Sequence, residues 1–472
     1  MVILLYNVSI LFYYVIYGLG IVFLKKLRRR FTNLSPQRAI LLYYFLALAA
    51  ATLLLSLPVF YRTDGISFID TLFVAASSIS VTGLSTVTIV ETFNIPGYIL
   101  LMFLMNLGGI GIMAVGTLLW ILLGRRIGVK ERRQIITDNA QYKMSGAVKL
   151  VLDIITLLIA VEVAGALIYI SYFYMQSGDL AYAFLHGTFL SVSATTNGGL
   201  DLYSNSLTHL EGNLFIEIPV MCQIILGAIG YPVLIELKHF FSKHSPGFRF
   251  SLFTKVTAST YGVLLLAGTI LIYLLEAAKY FEDKNILSSV MTSMFLSAST
   301  RSGGITTVAV EQLTETTQLI MSVLMFIGAS PSSAGGGIRT TTFAILILFL
   351  ISFSRGRQHI NIFQRRIAKK DIERAFAVFT LAVALVFAGI LTVLIADGHQ
   401  FTLTQIIFEV TSAFGTTGTS TGITEQLSGL SKAVIMIFMF IGRIGFVSFL
   451  LSIAGRQREL TYKYSEERLM VG

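Results

Sequence analysis

Charge is what this sequence has least of. Asp, Glu, Lys and Arg make up only 13% of 472 residues, where a soluble globular chain carries about a quarter. That shortage, with 55% hydrophobic residues, 35 Phe and a mean hydropathy of +0.78, excludes a water-soluble globule. There is one cysteine, Cys222, inside the apolar run 214–227, so no intrachain disulfide forms. The histidines His186, His209, His239, His244, His359 and His399 are scattered. No metal-spacing pair, nucleophile elbow or phosphate loop ending in Gly-Lys-Ser/Thr occurs, so nothing points to an enzyme. A cytoplasmic Gly-x-Gly-x-x-Gly dinucleotide motif is missing too.

What is present is a polytopic membrane protein. The net charge of +10 resides in short clusters between apolar runs. The tendency of Lys and Arg to remain on the cytoplasmic side accounts for them without nucleic acid. An apolar run from Val2 to Leu24 precedes Lys25-Lys26-Leu27-Arg28-Arg29-Arg30. This is the reverse of a signal peptide, and it reads as an uncleaved helix, with an interfacial helix as the alternative.

One short stretch, Ser80-Val81-Thr82-Gly83-Leu84-Ser85, returns in altered form around Gly199, Gly304 and Gly418, at separations of 116, 105 and 114 residues. Each copy lies between apolar segments. Before the first, Ile66 to Ser78 is apolar but reaches only about 20 Å, too little for a hydrocarbon core of about 30 Å. It enters and comes back. Each unit therefore reads as a helix, a re-entrant half-helix, an extended return and a second helix. Non-helical backbone at that depth is tolerated where it is buried or lines a water-filled path.

The expected fold is an all-α polytopic membrane protein with four pseudo-fourfold units around a central pore, plus one N-terminal helix. Residues 1–35 form the N-terminal part, 36–134 unit one, 135–247 unit two, 248–370 unit three and 371–472 unit four with a C-terminal tail. First helices are expected at Ala39–Leu57, Ala147–Met175, Thr254–Ala277 and Ala375–Ala396. The half-helices fall at 66–78, 181–194, 287–298 and 403–413. Second helices fall at Ile95–Leu123, Leu214–Leu237, from Gln318, and at Ala433–Ala454. Inter-unit loops and the tail from Arg456 are basic, whereas Asp64, Asp179, Asp201, Glu211, Glu311, Glu315, Asp397 and Glu425 fall on the opposite side. This asymmetry puts the former in the cytoplasm and the pore loops at the outer face.

A filter that replaces an ion's hydration shell turns successive carbonyls toward one axis. That requires backbone at positive φ, where glycine alone carries no Cβ penalty. The filter candidates are Val81, Thr82 and Gly83; Asn197, Gly198 and Gly199; Ser302, Gly303 and Gly304; and Thr416, Thr417 and Gly418. Small-residue clusters recur in the second helices at Gly108-Gly109-Ile110-Gly111, Gly227-Ala228-Ile229-Gly230, Gly328-Ala329 and Gly442-Arg443-Ile444-Gly445, and read as close helix packing. Residues 329–342, with Ser332, Gly335, Gly336 and Gly337, interrupt the second helix of unit three within the membrane and form a candidate gate; a plain connecting loop is the alternative. Arg443 is a charge in an apolar helix, which calls for an aqueous cavity or an acid partner such as Glu162, Asp153, Glu236 or Glu409.

These stretches together resemble the Trk/Ktr/HKT superfamily of potassium uptake proteins, most closely the Ktr-type membrane subunit. Val81-Thr82-Gly83-Leu84, Ser412-Ala413-Phe414-Gly415-Thr416-Thr417-Gly418, Phe440-Ile441-Gly442-Arg443-Ile444-Gly445 and Gly328-Ala329-Ser330 carry the likeness, which covers residues 36–472. The resemblance implies potassium as the transported ion, a gating role for the loop and a barrier role for Arg443. Gly83, where some sodium-conducting plant members have serine, fits potassium. It also implies a homodimer on cytoplasmic nucleotide-binding regulatory subunits, in the plasma membrane, with no cofactor in this chain. The basic loop 125–133 and the tail are expected docking surfaces, though membrane topology and lipid headgroups explain their charge equally. The N-terminal helix departs from the eight-helix Ktr pattern and from the two extra helices of Trk. An alternating-access carrier built on broken helices is the alternative function; four short units in one orientation favour the channel-like reading.

Overall fold

The computed structural model describes residues 36–62, 65–111, 147–242 and 248–445. The N-terminal helix, residues 112–123 of the expected helix in unit one, Asp64, the basic loop 125–133 and the tail lie outside the described residues. Within them the helices repeat one order four times. Unit one has α1 (Pro36–Leu55), α2 (Phe68–Ser80) and α3 (Ile95–Ile110). In unit two these are α4 (Ala147–Ser177), α5 (Leu180–Thr196), then α6 (Leu214–Ala228) and α7 (Tyr231–Ser242). Unit three has α8 (Leu252–Glu276), α9 (Ile286–Ser299), α10 (Glu315–Ile327) and α11 (Thr340–Ser354). The last has α12 (Lys369–Asp397), α13 (Leu403–Gly415) and α14 (Gly429–Ile444). A small antiparallel hairpin, β1 (Asn361–Ile362) with β2 (Arg365–Arg366), joins units three and four.

Polar caps set where these helices begin. Ser67, Asp179, Asn285 and Thr402 start the half-helices α2, α5, α9 and α13, each side chain accepting from a first-turn amide. Asn94, Asn213, Thr314 and Ser428 do the same for α3, α6, α10 and α14. Those caps also bind the end of the unit's first helix or the turn after it. Asn94 Nδ2 donates to Val59 O at 2.6 Å, and Asn213 Nδ2 to Tyr172 Oη at 2.6 Å. Glu276 accepts from Thr314 N at 2.9 Å, and Asp397 from Ser428 N at 3.0 Å. One end of every unit is thereby closed.

Among the described residues, four helices are long and apolar enough to cross a membrane, five if α6 and α7 count as one span. The chain is membrane-embedded. The half-helices of 13, 17, 14 and 13 residues are too short to cross, at about 1.5 Å per residue.

Two expectations need correction. Unit two's second helix is not continuous from Leu214 to Leu237: it turns by 106° between α6 and α7. Gly230 stands at φ 100°, and Tyr231 N donates to Ser332 O at 2.8 Å instead of continuing the helix. Helices α3 and α14 also stop, at Gly111 (φ 95°) and Gly445 (φ 85°), before the expected ends. The interruption expected only in unit three thus has a counterpart at the α6–α7 turn of unit two. The small-residue clusters do pack closely: a Cβ on Gly108, Gly227 or Gly442 would overlap a carbonyl at the end of the half-helix in the same unit. Their last glycine, read only as packing, breaks the helix.

Four apolar clusters bind the units in a closed ring. Phe189, Leu200 and Leu202 of unit two pack into unit one, and Leu265, Phe295 and Ile305 of unit three into unit two. Phe408 of unit four packs against unit three, and Phe73 and Leu84 of unit one against unit four. The half-helix ends therefore converge at the centre.

Candidate functional site at the four glycines

Each half-helix unwinds in the same manner. Val81, Asn197, Ser302 and Thr416 take φ of 56°, 57°, 78° and 46°. The next amide folds back on the helix end. Thr82 N donates to Ser77 O at 2.9 Å, Gly198 N to Ser193 O at 2.7 Å, Gly303 N to Ser299 O at 2.7 Å and Thr417 N to Ser412 O at 2.8 Å. Then comes the glycine, with φ of 97°, 67°, 72° and 90° at Gly83, Gly199, Gly304 and Gly418. In every strand two positive φ values flank one ordinary residue, and the second falls on glycine, which carries no Cβ penalty there.

The four glycines are neighbours. A Cβ on Gly83 would sit 2.7 Å from Gly199 Cα, one on Gly199 3.0 Å from Gly304 Cα, and one on Gly304 2.5 Å from Thr417 O. On Gly418 it would lie 2.8 Å from Gly83 Cα, which closes the ring. All four line the floor of a cavity of about 260 Å³. Asp201, Glu311 and Glu425 stand in its wall. Burial pushes the Asp201 carboxyl up to about 6, against the opposing hydrogen bond from Tyr203 N at 2.9 Å.

Side chains whose bonding role the sequence did not reveal hold these strands. Ser77 Oγ accepts from Gly83 N at 3.0 Å, and Ser412 Oγ from Gly418 N at 3.1 Å. Both serines stand six residues before their glycine, as does Ser193, and that spacing was readable. In unit three Ser299 Oγ donates to Ile305 O at 2.7 Å, and Ser302 Oγ to Thr416 O at 2.5 Å. Buried Glu409 secures the strand beyond Gly418 by accepting from Ser420 Oγ, Thr421 N and Thr424 Oγ1.

The unit-three loop lies against this ring. A Cβ on Gly335 would meet Ser302 Cβ at 2.5 Å, and one on Gly336 would meet Thr416 Oγ1 at 2.7 Å and Gly442 O at 2.9 Å. Gly337 stands at φ 84° against Gly328. The loop is bonded to the break in unit two: Ser330 N donates to Ala228 O, Ala334 N to Gly227 O, and Ser332 O accepts from Tyr231 N. Arg443 donates to Ala334 O of the loop and to Gly108 O and Gly109 O of unit one. It lines a second, smaller cavity with Arg339, Ser332 and Tyr231. Three of the four carboxylates considered as its partners have bonds elsewhere. Asp153 pairs with Lys238 at 3.4 Å, Glu236 accepts from Ser251 N, and Glu409 serves the unit-four strand. Glu162 Oε1 is buried with no hydrogen-bond partner among the described residues.

A family profile described as cation transport protein, TrkH, matches residues 11–459. The chain belongs to the TrkH cation transport protein family. Among its relatives is the Ktr system potassium uptake protein D of Bacillus subtilis, 46% identical over 441 residues, 93% of this chain and 98% of that one. The Ktr system potassium uptake protein B of Vibrio alginolyticus is 31% identical over 445 residues, covering 93% and 95%. A solved structure, the potassium transporter TrkH from Vibrio parahaemolyticus, superposes with a TM-score of 0.71 at 15% identity, over 89% of this chain and 86% of that one. The likeness shows a shared fold. This TrkH-family chain is thus a transport protein and not an enzyme, with the helical membrane architecture its repeat implies.

Proposed function

We propose that this protein takes potassium into the cell, with the four glycine-centred strands as its selectivity filter. The observation that carries the reading is the closed ring of Gly83, Gly199, Gly304 and Gly418 beneath an acid-walled mouth. Carbonyl dipoles replace the hydration shell there, the acids raise the local cation concentration, and four half-helices direct their partially negative ends at the same axis. The names of the relatives support potassium as the ion.

In this reading the gate is the loop expected at 329–342, of which 340–342 belong to α11, so that the non-helical stretch is 328–339. It sits on the ring side chains Ser302 and Thr416, and Arg443 pins it to unit one while adding positive charge to the ion path. The mouth faces outward, the basic inter-unit loops lie in the cytoplasm, and the membrane is the plasma membrane. A homodimer on cytoplasmic nucleotide-binding regulatory subunits completes the proposal, supported by the Ktr-type likeness.

Purified protein in liposomes tests the function. A potassium gradient should drive uptake of a tracer, and excess external potassium should suppress it far more than equal sodium. Equal suppression by both ions contradicts the reading.

A further inference from the structure

Arg301 is among the largest fully buried side chains in the protein, and it stands one residue before Ser302 of the unit-three strand. Its Nη1 donates to Leu324 O at 3.2 Å and to Gly328 O at 3.4 Å. Those carbonyls belong to the last turn of α10 and to Gly328, the glycine at φ 66° where the loop departs. Nε and Nη2 have no hydrogen-bond partner among the described residues, and neither does the buried hydroxyl of Tyr261, which packs against Ala329 of the loop.

A guanidinium in a membrane interior is costly, and this one bonds main-chain carbonyls at a helix C-terminus, where the helix dipole favours a cation. The position three residues before the glycine holds Ser80 in unit one, Thr196 in unit two and Gly415 in unit four. Of the two units whose break lies between described helices, the one with the cation is also the one whose break is the long loop. The base of that loop is a tight fold: Ala329 N donates to Gly336 O at 3.0 Å, and Ile338 N to Phe326 O at 3.2 Å. Arg301 grips its first strand from the filter side.

We propose that Arg301 is a positioning residue that latches the unit-three filter strand to the hinge of the loop, holding the loop against the ring. This rests on the gating role assigned to the loop above. Releasing the latch frees the hinge, so the loop leaves Ser302 and Thr416 more often and the resting flux rises.

The test is potassium flux into liposomes for wild type, R301Q and R301K, each in the full chain and in a background with residues 332–336 removed. In the full chain R301Q raises flux by about fivefold and R301K, which reaches one carbonyl, by about twofold. Both changes add less than about 1.5-fold once the loop is shortened, since two changes acting through one element are not additive. R301K carries the comparison if R301Q does not elute as a monodisperse species. Equal effects of the Arg301 variants in both backgrounds, or no effect in the full chain, overturn the latch while leaving the gate intact. If shortening the loop itself leaves flux unchanged, the gate falls and the latch with it.

Discussion

Gly83 and Gly199 face each other so closely that a Cβ on Gly83 would lie 2.7 Å from Gly199 Cα and 2.9 Å from Gly198 O. Neither neighbour is a side-chain tip that can swing away, so backbone must move to admit one more atom. Gly83 also stands at φ 97°, where an L-residue pays a further ~1–2 kcal/mol. Glycine is fixed there twice over, by space and by conformation.

The loop permits a direct test of gating. A Cβ on Gly336 would stand 2.7 Å from Thr416 Oγ1 and 2.9 Å from Gly442 O, so Gly336→Ala forces the loop away from the unit-four strand. Overpacking of this kind costs about 1–3 kcal/mol, enough to shift a closed state toward open by roughly fivefold or more. Resting potassium flux in liposomes should rise by that factor without a change in the preference for potassium over sodium.

Asp201 in the mouth of the cavity should make potassium flux depend on the pH at that side. Its carboxyl is pushed up to about 6 by burial, so it carries its charge above that pH and loses it as pH falls through 6. Potassium flux at a sub-saturating potassium concentration should drop by about two- to threefold between pH 7.5 and 5, through loss of cation attraction at the mouth. Asp201→Asn should give the lower flux at both pH values. A variant that keeps the full pH response assigns the titration to another group.

Two ion pairs should differ in their contribution to stability. Asp70 on α2 and Lys432 on α14 meet at 2.8 Å with side chains 19% and 13% exposed, joining units one and four. Asp70→Asn should cost about 1–3 kcal/mol and lower the melting temperature in detergent by roughly 2–4 °C. Lys369 and Glu373 lie 3.8 Å apart and are 87% and 62% exposed, so Glu373→Gln should leave the melting temperature unchanged within error.

The repeat, the half-helices and the unit-three break were legible because each leaves a mark in residue type: short apolar runs and a glycine at a fixed place. The half-helix limits differ from the expected ones by a few residues at most. The bend at Gly230 left only a glycine in a cluster that reads as close packing. Apolar residues continue on both sides, and hydropathy records burial in lipid but not direction. Of the two settings expected for Arg443, an aqueous cavity or an acid partner, the cavity is present, and the carbonyl acceptors were not foreseen for a related reason. Its bonds run to Ala334, Gly108 and Gly109 carbonyls, and a broken helix exposes acceptors that no side chain announces. Arg301 stood beside the recognised Ser302-Gly303-Gly304, but its contact with Leu324 and Gly328 depends on how α9 and α10 pack.

The central claim is that the ring of four glycines selects the ion. Potassium and sodium flux into liposomes should therefore be measured in parallel for wild type and Gly83→Ser, on protein shown to be monodisperse. The account predicts a potassium preference in the wild type that falls by about tenfold or more in the variant, the equivalent of ~1.4 kcal/mol at one ring position. Substantial flux with unchanged preference would contradict it, reducing Gly83 to a turn residue and the ring to packing.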